Sequence, residues 1–361
     1  MSARDARTGP ARDRASAKGR RSGAPSRTGN ARSDRERAGN ARPSARRAGS
    51  ARSSATPPGD GLVIGPVPPL ARATGALLVL AGLAGAAGLL PTYLVVGGEA
   101  ISQATGIGGV LVGLLVPVAH VAVGGVLLRG AVPKFGLAYA GVAAALASGQ
   151  LLIEIYRGSS STARPGVEVL AGNLVLTSGI ETGPGWVLAA VALALTVVAG
   201  VVGAVAWGRT VMEDGGALDS ARSVLAGAAV LLGVTAVLSL SLPAADVPDR
   251  IVTDPATGLQ TVVTQEGPQA LLERPGFALL GGLLLAGAVV LCSVVAPSLR
   301  PRLAVVGGLL AIAVTVLAAG LTGLRDAASP DLEWTLPGAG LVLAGVGYVA
   351  LTVTAWRLRR A

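Results

Sequence analysis

Few side chains in this sequence could do chemistry, and the three best placed lie within long uncharged runs. His120 is the single histidine of 361 residues. It follows Pro117, about two-thirds of the way through its run. An ionisable group at such a depth is a candidate proton relay. No second ionisable residue stands at that depth to receive the proton. A neutral imidazole bonded to a carbonyl that Pro117 leaves free accounts for His120 equally well. Glu154 ends another run, and Gln150 precedes it by one helical turn on the same face. Glu154 can pair with Arg157, or it can join Gln150 in lining a polar opening between helices. His120, Gln150 and Glu154 are therefore the candidate polar positions inside the membrane.

Much other chemistry is excluded. One histidine rules out paired-histidine metal sites, and no Gly-x-x-x-x-Gly-Lys-Ser/Thr loop occurs to cradle a phosphate. The lone Cys292 allows neither an intramolecular disulfide nor a multi-cysteine metal site, and reads as a small buried hydrophobe. Asp326, Asp331 and Glu333, followed by Trp334, form a carboxylate cluster of the kind a membrane glycosyltransferase uses as a general base. A solvated rim with Trp334 anchored at the interface explains them better. No catalytic residue, cofactor or metal is assigned.

The elements that must hold these residues are membrane spans. The chain is 51% hydrophobic with only 3% aromatic residues, and its mean hydropathy is +0.62. Leu, Val, Ala and 52 glycines supply the apolar mass. An Ala/Gly/Val/Arg bias is the signature of a GC-rich genome, such as an actinobacterial one. The stretch Gly185–Trp207 carries no charge, and at ~1.5 Å rise per residue it crosses a hydrocarbon core of ~30 Å. Seven more runs behave alike: 73–96, 107–128, 135–156, 223–242, 276–296, 303–324 and 338–356. The fold class predicted is an all-α integral membrane protein of about eight transmembrane helices.

Charge sets the threading. Residues 1–60 hold 15 Arg/Lys and 5 Asp/Glu, so the whole net charge of +10 resides there. With this tail cytoplasmic, later inner segments carry ten basic residues, including Arg72, Arg129, Lys134, Arg209 and Arg302, against five outside. Most acidic residues fall outside. The positive-inside rule then puts both termini in the cytoplasm of a bacterium, with the chain multi-pass in the plasma membrane.

Residues 1–70 read as a disordered, Arg-rich cytoplasmic tail with a loose decapeptide period, too poor in large apolar residues to form a core. It is an arm for anionic lipid headgroups or simply a solvated orienting segment. Nucleic acid is disfavoured, because the arm has no aromatic residue to stack on bases. Residues 71–208 and 209–361 read as two four-span halves of a parallel repeat. The third and fourth spans resemble the seventh and eighth. Each pair has a basic inner turn, a polar outer loop, Pro-Gly, then a span ending in Ala-Trp (Trp207, Trp356). Two outer loops, 157–183 and 243–274, alternate β-branched runs with Gly/Asn/Pro turns and read as hairpins forming a small extracytoplasmic cap. Small residues at Gly109/Gly113, Gly340/Ala344 and Gly82/Gly85/Gly88 allow close helix approach, within a bundle or in a homo-oligomer.

The function expected is that of a non-enzymatic envelope, assembly or scaffold protein acting through a membrane-protein partner. The alternative is a transporter or channel for a small or lipidic solute, using a cleft between the halves.

Overall fold

A computed structural model describes residues 63–96, 99–104, 106–159, 180–213, 220–242, 245–246, 250–253, 260–263, 276–327 and 333–358. Residues 1–62 of the basic tail, the hairpin expected over 167–177 and Asp331 lie outside the described residues; the last residues of the expected tail form the strand Val63–Ile64 and, from Pro69, the start of the first helix.

The chain runs β1 (Val63–Ile64), α1 (Pro69–Ala87), β2 (Thr92–Val96), β3 (Glu99–Ser102), α2 (Gly106–Leu128), α3 (Pro133–Ser159), β4 (Ile180–Thr182) and α4 (Pro184–Trp207). It continues through β5 (Met212–Glu213), α5 (Arg222–Leu240), β6 (Ala245–Asp246), β7 (Arg250–Thr253), β8 (Gln260–Val263), α6 (Phe277–Val295), α7 (Arg302–Ala327), β9 (Glu333–Trp334) and α8 (Leu336–Arg357). Among the described residues, eight helices are long and apolar enough to cross a membrane. This is the build of an all-α, multi-pass membrane protein.

Seven spans fall within a few residues of their predicted limits. The first does not. Its expected range, 73–96, splits into α1 and β2: the helix stops at Ala87, with Gly88 closing it through its N–H to the Ala84 carbonyl. Pro91 then bars a resumed helix, and the β-branched and aromatic run Thr92–Val96 pairs as a strand. Starts follow local chemistry as well. Pro184 opens α4 at a position where its missing N–H costs nothing. The Thr335 side chain caps α8 by accepting from the Gly338 amide.

The helices are not equivalent in depth. In α3 and α7, 67% of the span is buried inside the protein, against 22–39% for the rest. α3 packs on α4, α6 and α7, while α7 packs on α8 and α3. α1 lies between α2 and α4, and α5 contacts α6 and α8. The core is therefore an α3–α7 pair, and the outer helices expose Leu80, Leu111, Val201, Leu231 and Leu291 on the outside of the bundle. Where α3 crosses α6, a Cβ added to Gly149 would meet the Gly281 carbonyl oxygen at 2.6 Å, and one on Gly281 would meet that of Gly149 at 2.7 Å. Two backbones meet there because neither helix carries a side chain.

The predicted small-residue positions are likewise used within the chain. Gly82 faces the Pro117 carbonyl of α2, Gly113 faces Leu89, and Gly340 faces Ser239 of α5.

Strand pairing sorts the loops to the two ends. At one end, β2 pairs antiparallel with both β3 and β4, and β6 pairs with β9. At the other, β1 pairs with β5. The hairpin expected over residues 250–264 is present as β7–β8, with Arg250 opposite Val263 and Thr253 opposite Gln260. It forms its own two-stranded sheet. The end of the 157–183 loop pairs instead with β2 through β4, so among the described residues no ladder joins the two long loops.

Candidate functional site

Glu154 lies in the second-last turn of α3, where a carboxylate at headgroup level would be solvated cheaply. The structure buries it instead: the residue is 5% exposed. Tyr93 of β2 covers it and donates its hydroxyl to Glu154 Oε1 at 2.6 Å. The other carboxylate oxygen, Oε2, faces Arg157 Nη1 at 3.6 Å. The expected pairing with Arg157 is thus present, but it is lopsided, because the Arg157 side chain is 49% exposed and that of Glu154 only 7%. The phenol of Tyr93, outside the spans, is pushed well above its ordinary pKa, first by burial and then by the neighbouring Glu154 charge.

The backbone around the carboxylate is clamped too. Trp186, in the first turn of α4, donates its indole N–H to the Glu154 carbonyl at 2.9 Å. The Gly183 amide donates to the Tyr93 carbonyl at 2.9 Å, which fixes β2 against the entry to α4. A strand, two helix ends and one carboxylate so form a single clasp.

His120 belongs to a second, separate cluster. Its Nδ1 lies 2.8 Å from the Val116 carbonyl. A carbonyl can only accept, so Nδ1 carries the proton in this contact and Nε2 is left as an acceptor. Thr196 Oγ1 of α4 stands 3.3 Å from Nε2 and also reaches the Ala192 carbonyl at 2.8 Å. Tyr139 of α3 approaches edge-on, its ring 5.6 Å from the imidazole at 81°, with its hydroxyl 3.3 Å from Nδ1. A carbonyl partner was expected, but the acceptor differs. Pro117 frees the carbonyl four residues before it, that of Gly113, whereas the imidazole bonds Val116.

Gln150 stands one turn before Glu154 on α3, half-buried, and no hydrogen bond joins it to Glu154 or His120. Tyr139, which touches His120, precedes Glu154 by about four turns of α3, roughly 20 Å of helix. The three candidate residues therefore do not form one site.

A third cluster was not foreseen. Ser293 of α6 and Tyr348 of α8 share a hydroxyl–hydroxyl bond of 2.6 Å, and Tyr348 donates to the Ala229 carbonyl of α5 at 2.9 Å. It holds three helices together as His120 holds α2, α3 and α4. Cys292, beside Ser293, is buried as expected. Among the described residues, no group of three or more His, Cys, Asp or Glu could hold a metal ion.

Tyr93 and Tyr348 are the functional-looking residues that sequence reading passed over. With only four tyrosines in the chain, a tyrosine two residues after Pro91 was a usable signal for Tyr93. Tyr348 had none, because a hydroxyl in an apolar helix says nothing of the carbonyl it will find. No family model, curated protein or solved structure matches this chain.

Proposed function

We propose that this is a non-enzymatic scaffold or assembly protein of the bacterial plasma membrane, acting through protein partners. The observation that carries the reading is that four buried polar side chains within the bundle find their partners in the chain itself. Glu154, His120, Ser293 and Tyr348 each spend hydrogen-bonding capacity on other groups of the same chain. A carrier keeps such groups available to exchange partners with its cargo. Two surface depressions, one lined by Gly106, Ile107, Val110 and Leu111 and the other by Phe135, Val306, Leu310, Thr352, Val353 and Trp356, touch none of the three candidate residues.

The architecture we favour is two four-helix halves related by a parallel repeat. Helix neighbours support it: α1–α2, α1–α4 and α3–α4 have counterparts in α5–α6, α5–α8 and α7–α8. So do the loops, since the strand after the first helix pairs with the strand before the fourth in each half. Counted from Pro133 and Pro301, Arg157 and Arg325 fall at the same position, and Glu154 aligns with Thr322. The outer strands form the extracytoplasmic cap in this reading, and both termini are cytoplasmic by the charge bias. The basic tail lies against anionic headgroups.

The test is purification from native membranes in mild detergent, followed by native mass spectrometry. A stoichiometric protein partner is expected. A lone chain that retains a bound metabolite would favour the rival, a transporter or channel for a small or lipidic solute. One observation speaks for that rival: the buried Glu154 is reached by an arginine from the surface. Loss of transport in Glu154→Gln and His120→Phe, with the fold intact, would replace the scaffold reading by it.

A further inference from the structure

The clasp at the end of α3 gives the two oxygens of one carboxylate very different partners. Tyr93 of β2 spends its hydroxyl on Glu154 Oε1. Oε2 is left to Arg157, at 3.6 Å and half in water. Among the described residues no other cation pairs with Glu154. Trp186 of α4 bonds the backbone carbonyl of Glu154 and not its carboxylate. Arg325 of α7, at the same end of the bundle, is turned to the Gln103 carbonyl. Glu181 of β4 is exposed and stands opposite Val95, two residues beyond Tyr93 in β2. Tyr156 lies two positions on in α3, off the face that holds Glu154. The neighbouring ends of α1, α2 and α6 carry no charged side chain.

A guanidinium offers donors and no acceptor. A proton taken from water by Oε2 therefore acts twice. It removes the charge that holds Arg157, and it sets an O–H against N–H groups, donor facing donor. Arg157, already half in water, turns outward at little cost. The bond from Tyr93 to Oε1 persists, but it is no longer charge-assisted and has about half its former strength. What then holds β2 is its pairing with β3 and β4, and the bond from the Gly183 amide to the Tyr93 carbonyl.

We propose that Tyr93, Glu154 and Arg157 form an acid-operated latch, closed while Glu154 is ionised and opened at Tyr93 when Glu154 takes up a proton. Protonation biases a two-state element, the seat of β2 on the ends of α3 and α4. In the threading favoured above, the proton comes from the extracytoplasmic side. The latch is independent of whether the protein works as scaffold or carrier.

Tyr93 is its own reporter. The full chain is labelled with 3-fluorotyrosine and placed in nanodiscs of zwitterionic lipid. Its four tyrosines give four fluorine resonances, and Tyr93→Phe shows which of them belongs to Tyr93. A water-soluble gadolinium chelate then broadens any ring that meets water. Between about pH 7 and about pH 4.5 the broadening of Tyr93 is expected to rise about tenfold, the factor by which a charge-assisted bond outweighs a neutral one. Tyr139 and Tyr348, bonded inside the bundle, should not change. Glu154→Gln, which fixes the uncharged state, is expected to show the acid level at both pH values. In Arg157→Gln the ionised form has lost its cation, so the transition should move to higher pH. If Glu154→Gln fails to fold, Arg157→Gln decides, and an unmoved transition overturns the proposal. A Tyr93 signal that ignores pH overturns it, as does a Glu154→Gln protein that stays closed or still responds to pH. Broadening of Tyr139 and Tyr348 along with Tyr93 overturns it too, because the whole bundle has then loosened.

Discussion

The half of the molecule built from α1–α4 buries a carboxylate and an imidazole at two depths, whereas the half from α5–α8 joins its helices inside by neutral hydroxyls and buries a charge, Arg302, only at a helix end. Glu154 under Tyr93 and His120 between Tyr139 and Thr196 hold the first half. Ser293 and Tyr348 hold the second. Positions that the proposed repeat would align carry different duties. Arg157 pairs with Glu154 in its own helix, while Arg325 extends to the Gln103 carbonyl in a loop of the other half. In the repeat proposed above, one frame would hold two different polar cores, each closed within its own half. What the ionisable version adds is dependence: a buried carboxylate deprived of its donor costs far more than a lost neutral bond.

The comparison can be broken most severely where the halves meet. Gly149→Leu drives a side chain into the Gly281 backbone, and we expect loss of the folded monomer in fluorescence-detected gel filtration. Gly141→Leu, on the same helix with nothing within 4 Å of the added Cβ, should leave the elution peak unchanged. Next comes the clasp. Tyr93→Phe leaves Glu154 Oε1 without its donor and should lower stability by about 1–3 kcal/mol. Thr322→Val, at the aligned and exposed position of α7, should stay within about 0.5 kcal/mol. Equal melting temperatures for these two variants would show that the first half does not depend on its carboxylate.

Ser293→Ala is expected to cost less, about 0.6 kcal/mol, the usual worth of an interhelical bond in a membrane. Tyr348 keeps the Ala229 carbonyl as a partner in that variant, and chemical unfolding in mixed micelles measures the difference. The smallest effect is on pH. The pKa of Tyr93 is raised in the folded state, so the neutral phenol contributes stability that is fully present below about pH 10. As pH rises from there toward the higher folded value, the unfolded chain ionises first and that contribution fades. The slope of melting temperature above about pH 10 should flatten in Tyr93→Phe.

The spans were legible because a charge-free run of some twenty residues has few other uses. The stretch after Gly88 was misread for the same reason: apolarity does not separate a strand such as Thr92–Val96 from the last turns of a helix. Pro91 held the correction. Glu154 and His120 stood out as polar residues in apolar runs, yet their partners did not. Tyr93 and Thr196 are distant in sequence, and periodicity along one helix is silent about which neighbour its face will meet. The pairing of Glu154 with Arg157 was readable because it lies within a single helix.

The strand ladder between β2 and β4 also sets an order of manufacture. β2 emerges from the ribosome with α1 and waits, its outer edge unmatched, until α2 and α3 have been inserted and β4 arrives. The same delay recurs between β6 and β9. Each half therefore completes itself only with its last helix, as a unit of long-range closure. A chain severed between Glu213 and Ser220 should yield two fragments that each carry their own ladder, and that rejoin when made in the same cell.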